Sequence, residues 1–463
     1  MRSACDFAGP LSGGIACDAQ SGGCGTCAIL LRELERTRHP VFEAYAESTS
    51  APIGLAVSGG GDSLALLYLA NQWAKQTGRT LFCLTVDHGL RAEAADEARC
   101  VGKHCDQLGL SHRILKWNPD AGHIGQARSR RARHVLLAEA AREAGSDLIL
   151  MGHTKDDQTE TLMMRGARET SGYGLAGIRS LAVSPVWPEG RGVNIGRPLL
   201  GTRREELRGY LRAHQLSWVD DPSNLDPRYE RVRTRDILEQ MGQQGGQDSP
   251  LLKAARLAGE ARALCDQRLA LWFREGVETS DDGLIRFDPL LLDTFELDQD
   301  RLAEGVAWLL MCVAGHDRRP NRESRLALAG DILADPHGFQ ARTLGGAWIA
   351  PRKKQVTLAR DPGRVAAMPQ KLEAGQIWDG RFLFLPRRSG QNNANIVLNP
   401  SKTVELTDIA AMARETYPLM ARDRFEVSFL ARQRLNQLAF MFGYDNLIIQ
   451  NAKNGLGPSL RKD

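Results

Sequence analysis

The run Ser58-Gly59-Gly60-Gly61-Asp62-Ser63 follows the apolar stretch 53–57 and opens a second apolar stretch of helical character. Glycines let backbone amides approach an anion, and a helix N-terminus adds unpaired N–H groups and a favourable dipole. A bland alternative stands beside this: a glycine turn with Asp62 or Ser63 capping the helix. Two common phosphate loops do not fit. A P-loop needs a lysine after its last glycine, where this chain has Asp62-Ser63. The dinucleotide fingerprint needs a third glycine where this chain has Leu64, and Asp87 is only a weak match for its distant acid. An aspartate beside a phosphate costs about 4 kcal/mol at 4 Å in an effective dielectric near 20. Asp62 therefore faces a cation such as Mg²⁺, or turns back to cap its own helix.

A second group lies in "GHTKDDQTET" (152–161), where His153, Asp156, Asp157 and Glu160 fall at helical spacing. Carboxylates so placed can hold a metal, act as a base or receive an ammonium group; Thr154 to Asp157 also reads as a capping box. Asp87, His88 and Arg91 in "VDHGLR" stand at the end of another apolar run, either beside a ligand or at a solvated helix start. Arg128, Arg130, Arg131, Arg133 and His134 run along one helical stretch, and Arg228, Arg231, Arg233 and Arg235 along another. Such runs are solvated faces unless a phosphate is near, in which case the guanidinium fork grips it.

The elements that must position these groups are legible as short apolar runs at 53–57, 81–86 and 148–152, with a weaker one at 112–117. Helical patterns at 63–76, 92–108 and 126–144 alternate with them, which implies right-handed crossovers and a doubly wound, mainly parallel α/β sheet. With 463 residues the chain exceeds one average domain. Composition shifts divide it into an irregular Gly- and Cys-rich extension (1–50), a catalytic domain (51–240), a mainly helical domain (241–360) and a small C-terminal domain (361–463). A net charge of +4 excludes bulk charge as the basis for nucleic-acid binding and leaves that to local clusters. Nine scattered cysteines suit a reducing cytosol better than a disulfide framework. No stretch has the length of a membrane span or the form of a signal peptide.

SGGGDS after a buried strand is similar to the pyrophosphate loop, SGGxDS, of enzymes that split ATP between its α- and β-phosphates. With VDHGLR, the arginine helix, GHTKDDQTET, RPLL (197–200) and DDPSN (220–224) in this order, the chain resembles the tRNA(Ile)-lysidine synthases, densely over 55–238. The resemblance implies a pyrophosphate-loop (adenine nucleotide α-hydrolase-like) fold and a cytoplasmic, ATP- and Mg²⁺-dependent ligase. Such an enzyme joins L-lysine to C2 of the wobble cytidine in the isoleucine tRNA with a CAU anticodon, by way of an adenylated base. It places ATP at Ser58 to Ser63, Asp87 and His88, with Mg²⁺ on Asp62. Near that chemistry we expect Asp156 or Asp157, with Arg128 or Arg133 on phosphates; Asp62 and His153 complete the expected catalytic group, and Arg91, Glu160, Arg231, Arg233 and Arg235 are expected substrate contacts. A tRNA thiolase is the nearest alternative, on the Cys24-Gly-Thr-Cys27 pair, although paired cysteines follow the ATP loop in thiolases and precede it here. A non-catalytic RNA-binding relative is a further one. Oligomeric state is not legible, and a dimer is left open.

Overall fold

A computed structural model describes residues 50–89, 94–118, 125–166, 172–219, 228, 230–240, 250–280, 283–366, 371–372, 375–386, 396–397 and 425–453. Arg91, the CxxC pair and DDPSN lie outside them. The chain divides into two compact units, with boundaries at Ser184/Pro185, Gly192/Val193, Ala263/Leu264 and Asn446/Leu447.

The first unit is built on β1 (Ile53–Ala56), α1 (Gly61–Thr77), β2 (Leu81–Asp87), α2 (Ala94–Leu108), β3 (Ser111–Lys116), α3 (Gln126–Glu143) and β4 (Leu148–Met151). It continues through α4 (Lys155–Gly166), the single turn α5 (Gly172–Leu175), β5 (Leu181–Val183), β6 (Asn194–Gly196), α6 (Arg204–Ala213) and α7 (Glu230–Gln240). The sheet runs β3-β2-β1-β4-β6-β5, parallel except for β5. This is the doubly wound sheet that the alternation of apolar runs implies. Leu64 to Leu69 of α1 are all buried, so this helix lies inside the unit rather than on its surface. On the other face Leu137, Ala138 and Ala141 of α3 pack with Leu84, Ile149 and Ile195 of the strands.

Chain order reverses where β4 joins β1 on the side opposite β2. At such a switch point the loops leaving two neighbouring strands diverge and open a crevice at their carboxyl ends. The 58–63 loop leaves β1 there, and the 152–157 segment leaves β4.

The second unit carries the end of α8 (Pro250–Leu271), β7 (Val277–Thr279), β8 (Ile285–Phe287), α9 (Gln299–Ala314), α10 (Arg322–Ala334), β9 (Arg342–Leu344), β10 (Ala347–Arg352) and β11 (Gln355–Arg360). Its antiparallel sheet has the order β7-β8-β11-β10-β9, and α9 packs on β10 and β11. The 241–360 stretch thus holds a sheet beside its helices; strands of three to six residues are too short to register as a period in sequence. Further along, β12 (Lys371–Leu372) pairs with β15 (Ile396–Val397), and β13 (Ile377–Trp378), β14 (Phe382–Pro386) and β16 (Phe425–Phe429) form a three-stranded sheet followed by α11 (Leu430–Lys453). The interior of this unit is organised around charge as well as apolar packing. Buried Arg434 stacks over Trp187, 4.5 Å from its ring centre, and donates to the carbonyls of Met311 and His316. Glu304 of α9 accepts from Arg325 at 2.8 Å and from Arg319.

Candidate active site

The loop after β1 is laced by its own serines. The Ser58 amide donates to Ser63 Oγ at 3.1 Å, the two hydroxyls lie 3.1 Å apart, and Ser63 Oγ donates to the Gly60 carbonyl at 2.9 Å. Gly59 has φ +87°, a conformation that side chains rarely adopt, and its carbonyl accepts from the Val219 amide at 3.0 Å. Gly152 is required for a different reason. A Cβ there would stand 2.9 Å from the Asp62 carbonyl oxygen, so glycine lets the end of β4 touch the loop. The first amides of α1 have no intrahelical partner, and Gly61, Asp62 and Ser63, which carry them, line the crevice.

The crevice is a cavity of about 490 Å³ lined by Ser58, Gly60, Gly61, Asp62 and Ser63 on one side and by His153, Asp157 and Glu160 on another. Five arginines complete it: Arg133, Arg204, Arg208, Arg231 and Arg235. The most connected is Arg204. Its Nε lies 3.0 Å from Asp62 Oδ2, and its Nη atoms lie 3.5 Å from Asp157 Oδ1 and 3.6 Å from Glu160 Oε1. Its backbone amide donates to Asp156 Oδ2 at 2.8 Å, so Asp156 serves the N-terminus of α6.

Each carboxylate sits in a different environment. Burial raises the pKa of Asp62 against the pull of Arg204, and Asp62 Oδ1 has no partner. Burial also opposes ionisation of Asp157, but the Thr154 amide, Arg204, His153 and Arg231 together hold its pKa below the ordinary value. Asp157 Oδ2 accepts from the Thr154 amide (2.8 Å) and hydroxyl (3.0 Å), which is the capping arrangement, and leaves Oδ1 for the arginines. Glu160 is 2% exposed; Oε1 accepts from Arg235 Nε at 3.0 Å, and Oε2 is unpartnered. Beside this acidic side stand two neutral histidines. Burial, and then nearby arginines, push His134 down to about 3; burial and Arg197 push His153 down to about 4.

Not every residue expected at the site gathers in the cavity. Arg231 and Arg235, one helical turn apart, face Asp157 and Glu160, whereas Arg233 points away and donates to the Arg228 carbonyl. Asp87 accepts from the Gly89 amide at 2.9 Å, and His88 Nε2 lies 3.4 Å from Arg133 Nη2 at the rim. Arg128 is exposed in the first turn of α3 and does not line the cavity. Arg204 and Gly152 went unmarked in sequence. One signal was present: a cation at the first position of a helix opposes the dipole, and "TRREE" places one there.

Residues 33–241 match the PP-loop domain family. The tRNA(Ile)-lysidine synthase of Hyphomonas neptunium is 41% identical over 312 residues, covering 67% of this chain and 82% of that protein. This chain belongs to the tRNA(Ile)-lysidine synthase family. Lysidine synthases of Mesorhizobium japonicum (37% identical, 70% of each chain) and Caulobacter vibrioides (34%, covering 75% of this chain and 78% of that one) extend the match beyond the PP-loop domain. Among solved structures, the U34-tRNA thiolase NcsA of Methanococcus maripaludis overlays 49% of this chain at TM-score 0.40 and 20% identity. That likeness is too loose to choose a reaction, and the lysidine synthase relatives choose it instead. No helix among the described residues is long and apolar enough to cross a membrane.

Proposed function

We propose that this chain joins lysine to C2 of the wobble cytidine of the isoleucine tRNA with a CAU anticodon, in the cytoplasm, with release of pyrophosphate and AMP. The observation that carries this reading is the shared cavity, which sets an anion-binding loop against a buried glutamate with a free oxygen.

In the first step the cytidine O2 attacks the α-phosphate of ATP. Gly60, Gly61, Asp62 and Ser63 line the cavity where the pyrophosphate would depart, and their amides are candidate donors beside the cations Arg133 and Arg208. Asp62 fits a hard cation, since its Oδ1 is buried and unpartnered; a metal held by one carboxylate and the phosphates needs no larger ligand set. Mg²⁺ bound there would neutralise charge on the leaving pyrophosphate.

In the second step the lysine ε-amine replaces AMP at C2. Glu160 Oε2 is the acceptor for that amine, with Asp157 Oδ1 next to it. Asp157, with its pKa held low, grips rather than takes a proton. His153 stays uncharged and adds no repulsion. The test is incubation with radiolabelled lysine, ATP, Mg²⁺ and the CAU isoleucine tRNA transcript. Label entering the tRNA, dependent on the wobble cytidine, supports the reading; pyrophosphate release without lysine transfer refutes it.

A further inference from the structure

The charge balance of the acidic side of the cavity has a consequence for the nucleophile. Asp62 enters from the head of α1, and Asp156, Asp157 and Glu160 from α4. Against them stand Arg204 from α6 and Arg231 and Arg235 from α7, while Arg130 of α3 and Arg197 after β6 add positive potential around His153. Arg204 touches three of the carboxylates from a helix position where the dipole opposes a cation. An arginine guanidinium keeps its proton throughout the working pH range, so Arg204 is a permanent charge.

Lysine must attack as a neutral amine, yet its ordinary pKa is about 10.4, so roughly one molecule in a thousand is neutral near pH 7.5. A carboxylate that grips the amine would by itself favour the ammonium and worsen this ratio. A cation beside the amine does the reverse.

We infer that Arg204 is a positioning residue that keeps the carboxylates charge-balanced, so that Glu160 grips the incoming lysine amine without stabilising it as ammonium. This rests on the placement of lysine at Glu160. The ammonium first gives one proton to solvent. The nitrogen lone pair then forms the C2–N bond as the C2–O2 bond breaks, and that electron pair leaves on AMP. The second N–H proton leaves to solvent afterwards.

The test compares Arg204→Gln and Arg204→Lys with lysine and with S-aminoethylcysteine, whose sulfur makes the terminal amine more acidic. Arg204→Gln should lower kcat for lysine about tenfold for each unit by which the bound amine's pKa rises. KM for lysine should hold or fall, and the acidic limb of the pH–rate profile should move to higher pH. With S-aminoethylcysteine the limb should lie at lower pH and move by a similar interval, so its loss should vanish at a pH where the loss for lysine persists, and Arg204→Lys should restore the limb. Equal losses for both nucleophiles with an unmoved limb would overturn the inference, as would a loss confined to pyrophosphate release. Glu160→Gln tests the underlying placement separately: an unchanged lysine KM there removes the lysine from this site.

Discussion

Arg204 Nε donates to Asp62 Oδ2 at 3.0 Å, joining the heads of two helices whose residues lie 142 positions apart in sequence. This bond ties the phosphate loop to the acidic group at which we propose that lysine binds. A change on either side should therefore be felt in both steps.

Asp62→Asn should reduce AMP formation by at least about a hundredfold, since the carboxylate proposed to hold Mg²⁺ at the phosphates is lost. It should not lower thermal stability at neutral pH. Burial raises the pKa of Asp62, so its charged form opposes folding increasingly as pH rises through that value, and an amide avoids the cost. Calorimetry on the two proteins checks this; a midpoint several degrees below wild type would contradict it.

Gly152→Ala brings a Cβ to 2.9 Å from the Asp62 carbonyl, a backbone atom that cannot swing aside. The loop must shift, at a cost of about 1–3 kcal/mol. Steady-state kinetics should show a KM for ATP raised about tenfold or more, with a smaller change in KM for lysine.

Arg235→Ala removes a second cation from beside buried Glu160, so the lysine KM should hold or fall while kcat for lysine drops at least about fivefold. Arg233→Ala, two residues away on the opposite face, should leave that kcat within about twofold. Equal effects in a lysine titration would mean that α7 is oriented differently.

His134 is neutral in the fold down to about pH 3, whereas the unfolded chain takes up the proton near pH 6.5. The unfolded state thus binds more protons in that window. Stability should be full above pH 6.5 and fall as pH drops toward 3, by up to about 1.4 kcal/mol per unit from this residue. His134→Gln should flatten the slope in denaturant melts taken from pH 7 to 5.

The phosphate loop and the strands around it were readable because each is a local pattern: a glycine run between apolar runs, or four to seven apolar residues in line. β5 and β6 carry only Leu181–Val183 and Asn194–Gly196, too few residues to show alternation. Arg204 was hidden because its role is set by three partners from distant segments, and no spacing in the sequence joins them. Arg233 stands apart from the cavity for the opposite reason. Four arginines within eight residues look equivalent in a string, and the helical turn then separates 231 and 235 from 233.

Residues 185–192, between β5 and β6, belong to the second unit, and Trp187 from this excursion lies under Arg434. The chain therefore enters its second unit briefly, long before it settles there. A single cut after Ala263 would produce a downstream fragment in which the Arg434 guanidinium has lost an aromatic face. The two units are separate by packing but not by genetics: a fusion, a swap with a relative or a split-protein reporter would have to carry the eight-residue excursion along with the second unit.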